Sequence, residues 1–177
     1  AVDLGINFFD SARSYGPEWT DKLIGEAIDA SRVVVATKGG VDKPAPGNIT
    51  VDGSPATLNR QIDDALRNLK VDRIDLFQLH RIDPNTDIEI SVEALRAAQE
   101  AGKVRLIGLS NVDRQQLDRA QAVAPIAAVQ NRFNQAEQAQ NDLVDYTSQL
   151  GIAFIPYGPL GANPMRQGAK LPPQAAL

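Results

Sequence analysis

Several apolar runs of this sequence end on side chains capable of acid–base chemistry. The run INFFD closes on the carboxylate of Asp10, and the phenol of Tyr15 follows five positions later. Two later runs, VVVAT and IDLFQL, lead to the amine of Lys38 and the imidazole of His80. Each residue alone has an ordinary explanation, such as a capped turn or a solvated amine. Together the four could donate, accept and orient protons, provided that the fold brings them to one site.

The other apolar runs also end on hydrogen-bonding side chains. The six runs begin at Ile6, Val33, Ile74, Val104, Ala127 and Ile152. The last three lead to Ser110 with Asn111, to Gln130 with Asn131, and to Tyr157. Ordinary structural requirements do not demand a polar group at all six ends. The pattern therefore predicts a shared functional site at the carboxyl ends of the strands.

Strands and helices are predicted to alternate along the whole chain. The apolar runs are nearly continuous, which is typical of strands buried on both faces of a parallel sheet. Between two of them, SPATLNRQIDDALRNL offers Ser54 as a helix cap and Pro55 at the first helical position. The apolar residues of this segment share one helical face: Leu58, Ile62, Leu66 and Leu69. Further helices are predicted over residues 91–101, 113–122 and 141–150, and the alternation indicates an α/β protein.

Among α/β architectures, the sequence favours a (β/α)₈ TIM barrel over an open dinucleotide-binding sheet. It contains neither Gly-x-Gly-x-x-Gly nor Gly-x-x-x-x-Gly-Lys, the phosphate-binding patterns of open sheets. A barrel has eight strands and typically about 250 residues, whereas this chain shows about six β/α units in 177 residues. AVDLG resembles the last turn of a helix, and LPPQAAL resembles the first turn of another. We therefore expect residues 1–177 to form a single barrel domain that is incomplete at both ends.

Composition excludes several classes of protein. The net charge is −4 and the sequence pI is about 5.0, so no basic stripe for nucleic acid is expected. The chain has no cysteine, which excludes disulfides and zinc–thiolate sites. No apolar run approaches the roughly 18 residues of a membrane span. A cytoplasmic domain with no membrane contact is the default expectation.

Six segments resemble the aldo-keto reductase family, and they cover nearly the whole chain. They are GINFFDSARSYG, VVVATKGG, VDRIDLFQLHRID, GKVRLIGLSN, VQNRFN and GIAFIPYGPLG. The resemblance implies a (β/α)₈ barrel that reduces small carbonyl substrates with NADP(H) and without a metal. It also implies that the catalytic tetrad of the family falls on Asp10, Tyr15, Lys38 and His80.

The same resemblance assigns a second set of residues to the cofactor. These cofactor-binding residues are Ser110, Asn111, Gln130, Tyr157, Gly158, Leu160 and Gly161. The first three would hold the nicotinamide carboxamide, and the tyrosine would stack on the nicotinamide ring. The YGPLG run, which contains the other three, would pass along the pyrophosphate.

Elementary chemistry gives each member of the tetrad a role. Hydride attack on a carbonyl builds negative charge on oxygen, which needs a proton donor. Tyrosine has an ordinary pKa of about 10, and we expect the ammonium of Lys38 to lower the pKa of Tyr15. Asp10 would keep that lysine charged, and His80 would orient the substrate oxygen. The hydride itself comes from the cofactor.

Two other functions remain open from the sequence. A lysine at the end of a barrel strand can attack carbonyls, so Lys38 could serve a Schiff-base aldolase or isomerase. Alternatively, the chain could be a non-catalytic regulatory subunit that binds a nicotinamide. The sequence leaves the substrate, the preference between NADPH and NADH, and the oligomeric state open.

Overall fold

A computed structural model of the protein describes residues 1–16, 19–45, 47–134 and 137–159. Within these ranges the strands are β1 (Phe8–Asp10), β2 (Val34–Gly39), β3 (Val41–Ala45), β4 (Asn48–Val51), β5 (Ile74–Leu79), β6 (Val104–Ser110), β7 (Ile126–Arg132) and β8 (Ala153–Tyr157). The α-helices are α1 (Trp19–Ala27), α2 (Pro55–Leu69), α3 (Ile88–Glu100), α4 (Arg114–Gln121) and α5 (Asn141–Gln149). Short 3₁₀ turns cover Val2–Leu4 and Ala30–Arg32.

The main sheet has six parallel strands in the order β1-β2-β5-β6-β7-β8. Neighbouring strands therefore follow one another along the chain, apart from β3 and β4. An open doubly wound sheet reverses its strand order at a switch point, whereas a barrel does not. The observed order confirms the predicted parallel sheet and is the winding of a barrel.

Strands β3 and β4 form a separate antiparallel hairpin that directly follows β2. The sequence did not predict it, because this segment is polar and rich in proline and glycine. Gly47 lies between the two strands with φ 81°, in the left-handed region that glycine adopts without steric cost. The hairpin attaches to the main sheet at its base, where Asp52 N donates to Gly40 O at 3.0 Å.

Helix α2 confirms the prediction made from capping and periodicity. The Ser54 side chain accepts a hydrogen bond from Thr57 N, and Pro55 opens the helix. Leu58, Ile62 and Leu69 on the predicted face are fully buried against the sheet, each burial contributing about 1.5–3 kcal/mol. Burial of this apolar face therefore determines how α2 packs on β2 and β5.

Helices α3, α4 and α5 differ from the predictions only at their ends, whereas α1 was not predicted from the sequence. Helix α3 begins at Ile88, three residues earlier than predicted, since the buried side chain of Ile88 packs into the core. Helix α4 follows Asp113, whose side chain forms a reciprocal capping box with Gln116. None of the five described helices combines the length and the apolarity needed to cross a membrane. The segment LPPQAAL lies outside the described residues.

Candidate active site

The ion pair between the buried Lys38 and the half-buried Asp10 lies at the carboxyl end of the sheet. Lys38 Nζ donates to Asp10 Oδ2 at 2.6 Å and to the carbonyl oxygen of Ser11 at 2.8 Å. Strands β1 and β2 pair with Asp10 beside Ala36, two positions before Lys38. Since side chains two positions apart on a strand share a face, this register brings the ammonium to the carboxylate.

Two amide side chains complete the surroundings of Asp10. Gln78 Nε2 on β5 donates to Asp10 Oδ1, and Gln130 Nε2 on β7 donates to Asp10 Oδ2, both at 3.1 Å. Asp10 therefore accepts hydrogen bonds from side chains on three other strands. Among the described residues, Gln78 Oε1 is a buried oxygen without a partner. A buried acceptor of this kind marks a place for water or a bound group.

The electrostatics of Lys38 depend on its carboxylate neighbours. The Lys38 side chain has no solvent exposure, and burial is the main influence, which lowers its pKa. The charges of Asp10 and Asp21 act in the opposite direction and raise the pKa of Lys38. Asp21 is itself buried on α1 and accepts a hydrogen bond from Thr37 Oγ1 at 2.9 Å. The ion pair with Asp10 and the more distant charge of Asp21 thus favour the ammonium form of Lys38 in the interior.

Tyr15 lies over Lys38 at the surface of the site. The centroid of its ring is 5.2 Å from Lys38 Nζ, and the ring is 49% exposed. Its pKa is raised, first by burial and then by the charges of Asp10 and Tyr157. This direction is opposite to the one predicted from the sequence, because burial raises the pKa of the phenol and the carboxylate that holds Lys38 raises it further. At neutral pH, Tyr15 is therefore protonated.

His80 follows β5 and completes the cluster. Its ring packs edge-on against the ring of Tyr15 with centroids 6.0 Å apart, and Ser14 Oγ lies 3.4 Å from His80 Nδ1. Burial, followed by the charges of Lys38 and Arg81, lowers the pKa of His80 to about 4. The imidazole is therefore neutral at physiological pH, with one nitrogen able to donate and one able to accept.

Asn111 connects His80 with two predicted cofactor residues. Asn111 Nδ2 donates to His80 O and to Ser110 Oγ, both at 3.0 Å. Tyr157 Oη donates to Asn111 Oδ1 at 2.7 Å. Asn111 has φ 58°, an uncommon conformation for a residue other than glycine and one that asparagine tolerates. Such backbone conformations concentrate at functional sites.

The other predicted cofactor residues have different surroundings. Gln130 donates to Asp10 and so belongs to the hydrogen-bond network of the tetrad. Gly158 has φ 64° and approaches the guanidinium of Arg132. Leu160 and Gly161 lie outside the described residues.

A polar cavity of about 370 Å³ opens beside Tyr157 and Asn111. It is lined by Asn111, Val112, Asp113, Gln116, Asn131, Arg132, Gln140 and Tyr157. A larger cleft of about 520 Å³ lies on the outer surface between α2 and α3, and no predicted site residue borders it. Because the titratable groups cluster at the sheet edge, we place the candidate site there and not in the larger cleft.

Three residues of the cluster were not predicted from the sequence. Gln78 is a polar residue inside the apolar run IDLFQL, and this break in the pattern could have identified it. Ser14 lies in a loop and Asp21 in a helix, where polar residues are common, so no sequence pattern distinguishes them. No group of three or more acidic or histidine side chains with metal-site geometry occurs within residues 1–16, 19–45, 47–134 and 137–159.

Comparisons with known proteins agree on one family. The family model described as the aldo/keto reductase family matches residues 1–176. An uncharacterised oxidoreductase of Schizosaccharomyces pombe is 37% identical over 162 residues, covering 91% of this chain and 53% of the relative. The chain thus spans about half the length of the curated relatives that it matches.

Solved structures give the same result. A glycerol dehydrogenase from Gluconobacter oxydans matches with a TM-score of 0.86 and 30% identity, over 98% of this chain and 56% of that one. An aldo/keto reductase from Klebsiella pneumoniae, in complex with NADP and acetate, matches with a TM-score of 0.76 and 26% identity, over 90% and 55% of the two chains. These matches confirm the predicted fold class, with about six of its β/α units in this chain.

Proposed function

This chain belongs to the aldo/keto reductase family, and on that premise we propose that it reduces small aldehydes or ketones to alcohols with NADP(H). The observation that supports the proposal is the cluster of Asp10, Tyr15, Lys38 and His80 at one edge of the sheet. A buried ammonium, a phenol that is half exposed and a neutral imidazole are the groups that carbonyl reduction needs.

Tyr15 is the proposed proton donor. Its raised pKa keeps the phenol protonated at neutral pH, which is the form required when negative charge develops on the substrate oxygen. After it gives up the proton, Tyr15 is a phenolate, and the ammonium of Lys38 stabilises that charge. Asp10 keeps Lys38 charged through the 2.6 Å hydrogen bond. Tyr15 is thus the proposed acid, and Lys38 and Asp10 support its proton transfer.

His80 is proposed to orient the substrate oxygen. Because its imidazole is neutral at physiological pH, it can donate one hydrogen bond without adding charge to the site. The edge-on contact with the ring of Tyr15 holds the imidazole beside the proton donor. A carbonyl oxygen bound between these two side chains would be within reach of both.

The residues beside the tetrad fit a nicotinamide cofactor. The ring of Tyr157 is 36% exposed and offers a flat apolar surface, while Ser110 and Asn111 offer hydroxyl and amide groups suited to a carboxamide. We propose that these three residues hold the nicotinamide, as the similar Klebsiella pneumoniae protein was crystallised with NADP. When bound, the cofactor supplies the hydride.

The same residues can serve alcohol oxidation. In that direction the phenolate of Tyr15 accepts the proton of the substrate hydroxyl, and Lys38 again compensates its charge. One similar protein is a glycerol dehydrogenase, so a small polyol is a reasonable test substrate beside simple aldehydes.

The surroundings of Lys38 do not favour the Schiff-base alternative. A lysine nucleophile needs a free neutral amine that the substrate can reach. Lys38 Nζ instead donates to both Asp10 and Ser11, and its side chain has no exposure.

Turnover assays test the proposal. The purified protein is incubated with NADPH and benzaldehyde, and the loss of NADPH absorbance is compared with the benzyl alcohol formed. Equal amounts of the two are expected. Covalent trapping of a carbonyl compound on Lys38 by borohydride, with no oxidation of NADPH, would support the aldolase alternative instead.

A further inference from the structure

Arg13 joins the segment that contains Tyr15 to two other elements of the fold. Its Nε donates to Asp42 Oδ1 on β3 at 2.9 Å, and its Nη1 donates to Asp64 Oδ2 on α2 at 2.8 Å. The Arg13 side chain is only 14% exposed. Since Arg13 precedes Tyr15 by two residues, this double ion pair fixes the chain close to the phenol.

The Tyr15 ring itself has few restraints. It is 49% exposed, and its described ring contacts are the edge of His80 and the ammonium of Lys38. Its position therefore depends on the backbone of residues 11–16. That backbone follows β2 through the bond from Arg13 N to Lys38 O at 3.0 Å and then turns, as Tyr15 N donates to Ala12 O at 3.0 Å.

We propose that Arg13 is a positioning residue for Tyr15. By bridging Asp42 and Asp64, its guanidinium holds residues 11–16 in the conformation that sets the phenol over Lys38. The inference rests on the proposed function, in which Tyr15 donates the proton. Proton transfer is sensitive to distance, so a loop that shifts by about 1 Å would slow it by up to about 100-fold.

One of the two carboxylates, that of Asp42, is itself held in place by Gln61. Gln61 Nε2 on α2 donates to Asp42 Oδ2 at 3.0 Å, and its Oε1 accepts from Gly40 N at 2.7 Å. Gln61 is buried. Through Gln61, Asp42 is therefore linked to Gly40, which directly follows β2 and lies two residues after Lys38. The Arg13–Asp42 half of the bridge thus connects the Tyr15 segment to the strand that carries Lys38.

Arg60 provides a matched control, because it lies beside the same two carboxylates. Its guanidinium nitrogens are 3.8 Å from Asp42 Oδ2 and 3.7 Å from Asp64 Oδ2, and its side chain is 51% exposed. Arg60 belongs to α2 and not to the Tyr15 segment. Removing it takes the same charge from the same cluster without releasing the loop.

The test compares wild type, Arg13→Ala, Arg13→Lys, Arg60→Ala and Tyr15→Phe in the purified protein. For each, kcat and KM for benzaldehyde, NADPH affinity and the thermal midpoint are measured. We expect Arg13→Ala to lower kcat by about 10- to 100-fold with unchanged NADPH affinity. Arg60→Ala should keep the wild-type kcat. Arg13→Lys should fall between them, because one ammonium cannot bridge two carboxylates as a planar guanidinium does.

The outcomes separate this inference from the function on which it rests. Wild-type protein that does not reduce carbonyls would overturn both. If the wild type is active and Tyr15→Phe is inactive, the proposed function stands. In that case, equal activities of Arg13→Ala and Arg60→Ala would overturn only the positioning role of Arg13. If Arg13→Ala does not fold, Arg13→Lys decides, and a kcat equal to that of wild type would overturn the bridge.

Discussion

Lys38 Nζ lies 2.6 Å from Asp10 Oδ2, and the lysine side chain has no solvent exposure. A buried ammonium without a counter-charge would lose its proton, so this pair is the condition for a charged Lys38. Burial raises the pKa of Tyr15, and the same carboxylate raises it further. The three titratable groups are therefore coupled, and substitution of either member of the pair should change the pH dependence of the reaction.

Lys38→Met should slow reduction by at least about 10-fold. In the pH–rate profile, the pH at which the residual activity declines on the alkaline side should also move to a higher value. Without the ammonium, the charge of Asp10 acts on the phenol uncompensated, so the pKa of Tyr15 rises further and the donor stays protonated to higher pH. A pH–rate profile measures the shift, with Lys38→Arg as the control that retains the charge. An unchanged alkaline decline would show that Lys38 does not influence the pKa of Tyr15.

Asp10→Asn should shift the same alkaline decline in the opposite direction. Burial already lowers the pKa of Lys38, and the carboxylate that counteracts it is lost. The substitution also removes a charge that raises the pKa of Tyr15. As a result, both Lys38 and Tyr15 should lose their protons at a lower pH than in the wild type. The profile is recorded beside that of Lys38→Met, and shifts of the same sign in the two variants would contradict the coupling.

His80 is the only histidine of the chain, so its imidazole resonances can be assigned without ambiguity. An NMR titration should give a midpoint near the pKa of about 4 expected for the folded protein. A midpoint above 6 would show that the ring is not buried as described.

The same depressed pKa has a consequence for stability. The unfolded state, with a histidine pKa of about 6.5, binds the proton more readily than the folded state. The contribution of His80 is therefore present above about pH 6.5 and is lost as the pH falls towards 4, by up to about 3 kcal/mol. Denaturant unfolding of wild type and His80→Gln across this window measures it. Parallel pH dependences in the two proteins would exclude the effect.

Tyr157→Ala should weaken NADPH binding by about 3- to 10-fold, because it removes the ring proposed to stack on the nicotinamide. Tyr157→Phe keeps the ring and loses only the hydrogen bond to Asn111 Oδ1, so its affinity should stay closer to that of wild type. Trp19 is the only tryptophan and is 65% exposed, so its quenching on NADPH addition can report the titration. Equal affinities in all three proteins would remove Tyr157 from the cofactor site.

The parallel sheet could be predicted because the sequence patterns that specify its strands and helices are local. Continuous apolar runs mark the strands; β2, β5 and β7 are largely buried as predicted, whereas the outer strands β1 and β8 are more exposed. Ser54 with Pro55 defines the start of α2. The β3–β4 hairpin could not be predicted in the same way, since its strands contain Pro44 and exposed polar residues. Its formation depends on backbone pairing and on attachment to Gly40, which composition does not encode.

The proximity of Asp10, Lys38 and His80 was also predictable, because parallel strands place their carboxyl ends at one edge. Their electrostatics were not. The pKa direction of Tyr15 depends on its depth and on its distance from Asp10, and neither follows from residue types. Likewise, the role of Gln130 beside Asp10 follows from the orientation of its amide, which only the packed structure gives.

The role of Tyr15 as proton donor is tested most directly by the rate at which the Tyr15→Phe variant reduces a carbonyl substrate. NADPH oxidation with benzaldehyde is measured beside NADPH affinity from Trp19 quenching. Phenylalanine keeps the ring that contacts Lys38 and His80 and removes only the acidic hydroxyl, so the rate should fall by about 100- to 10,000-fold while NADPH affinity remains that of wild type. A variant that binds NADPH normally and retains a large share of the wild-type rate would contradict the assignment of Tyr15 as the proton donor.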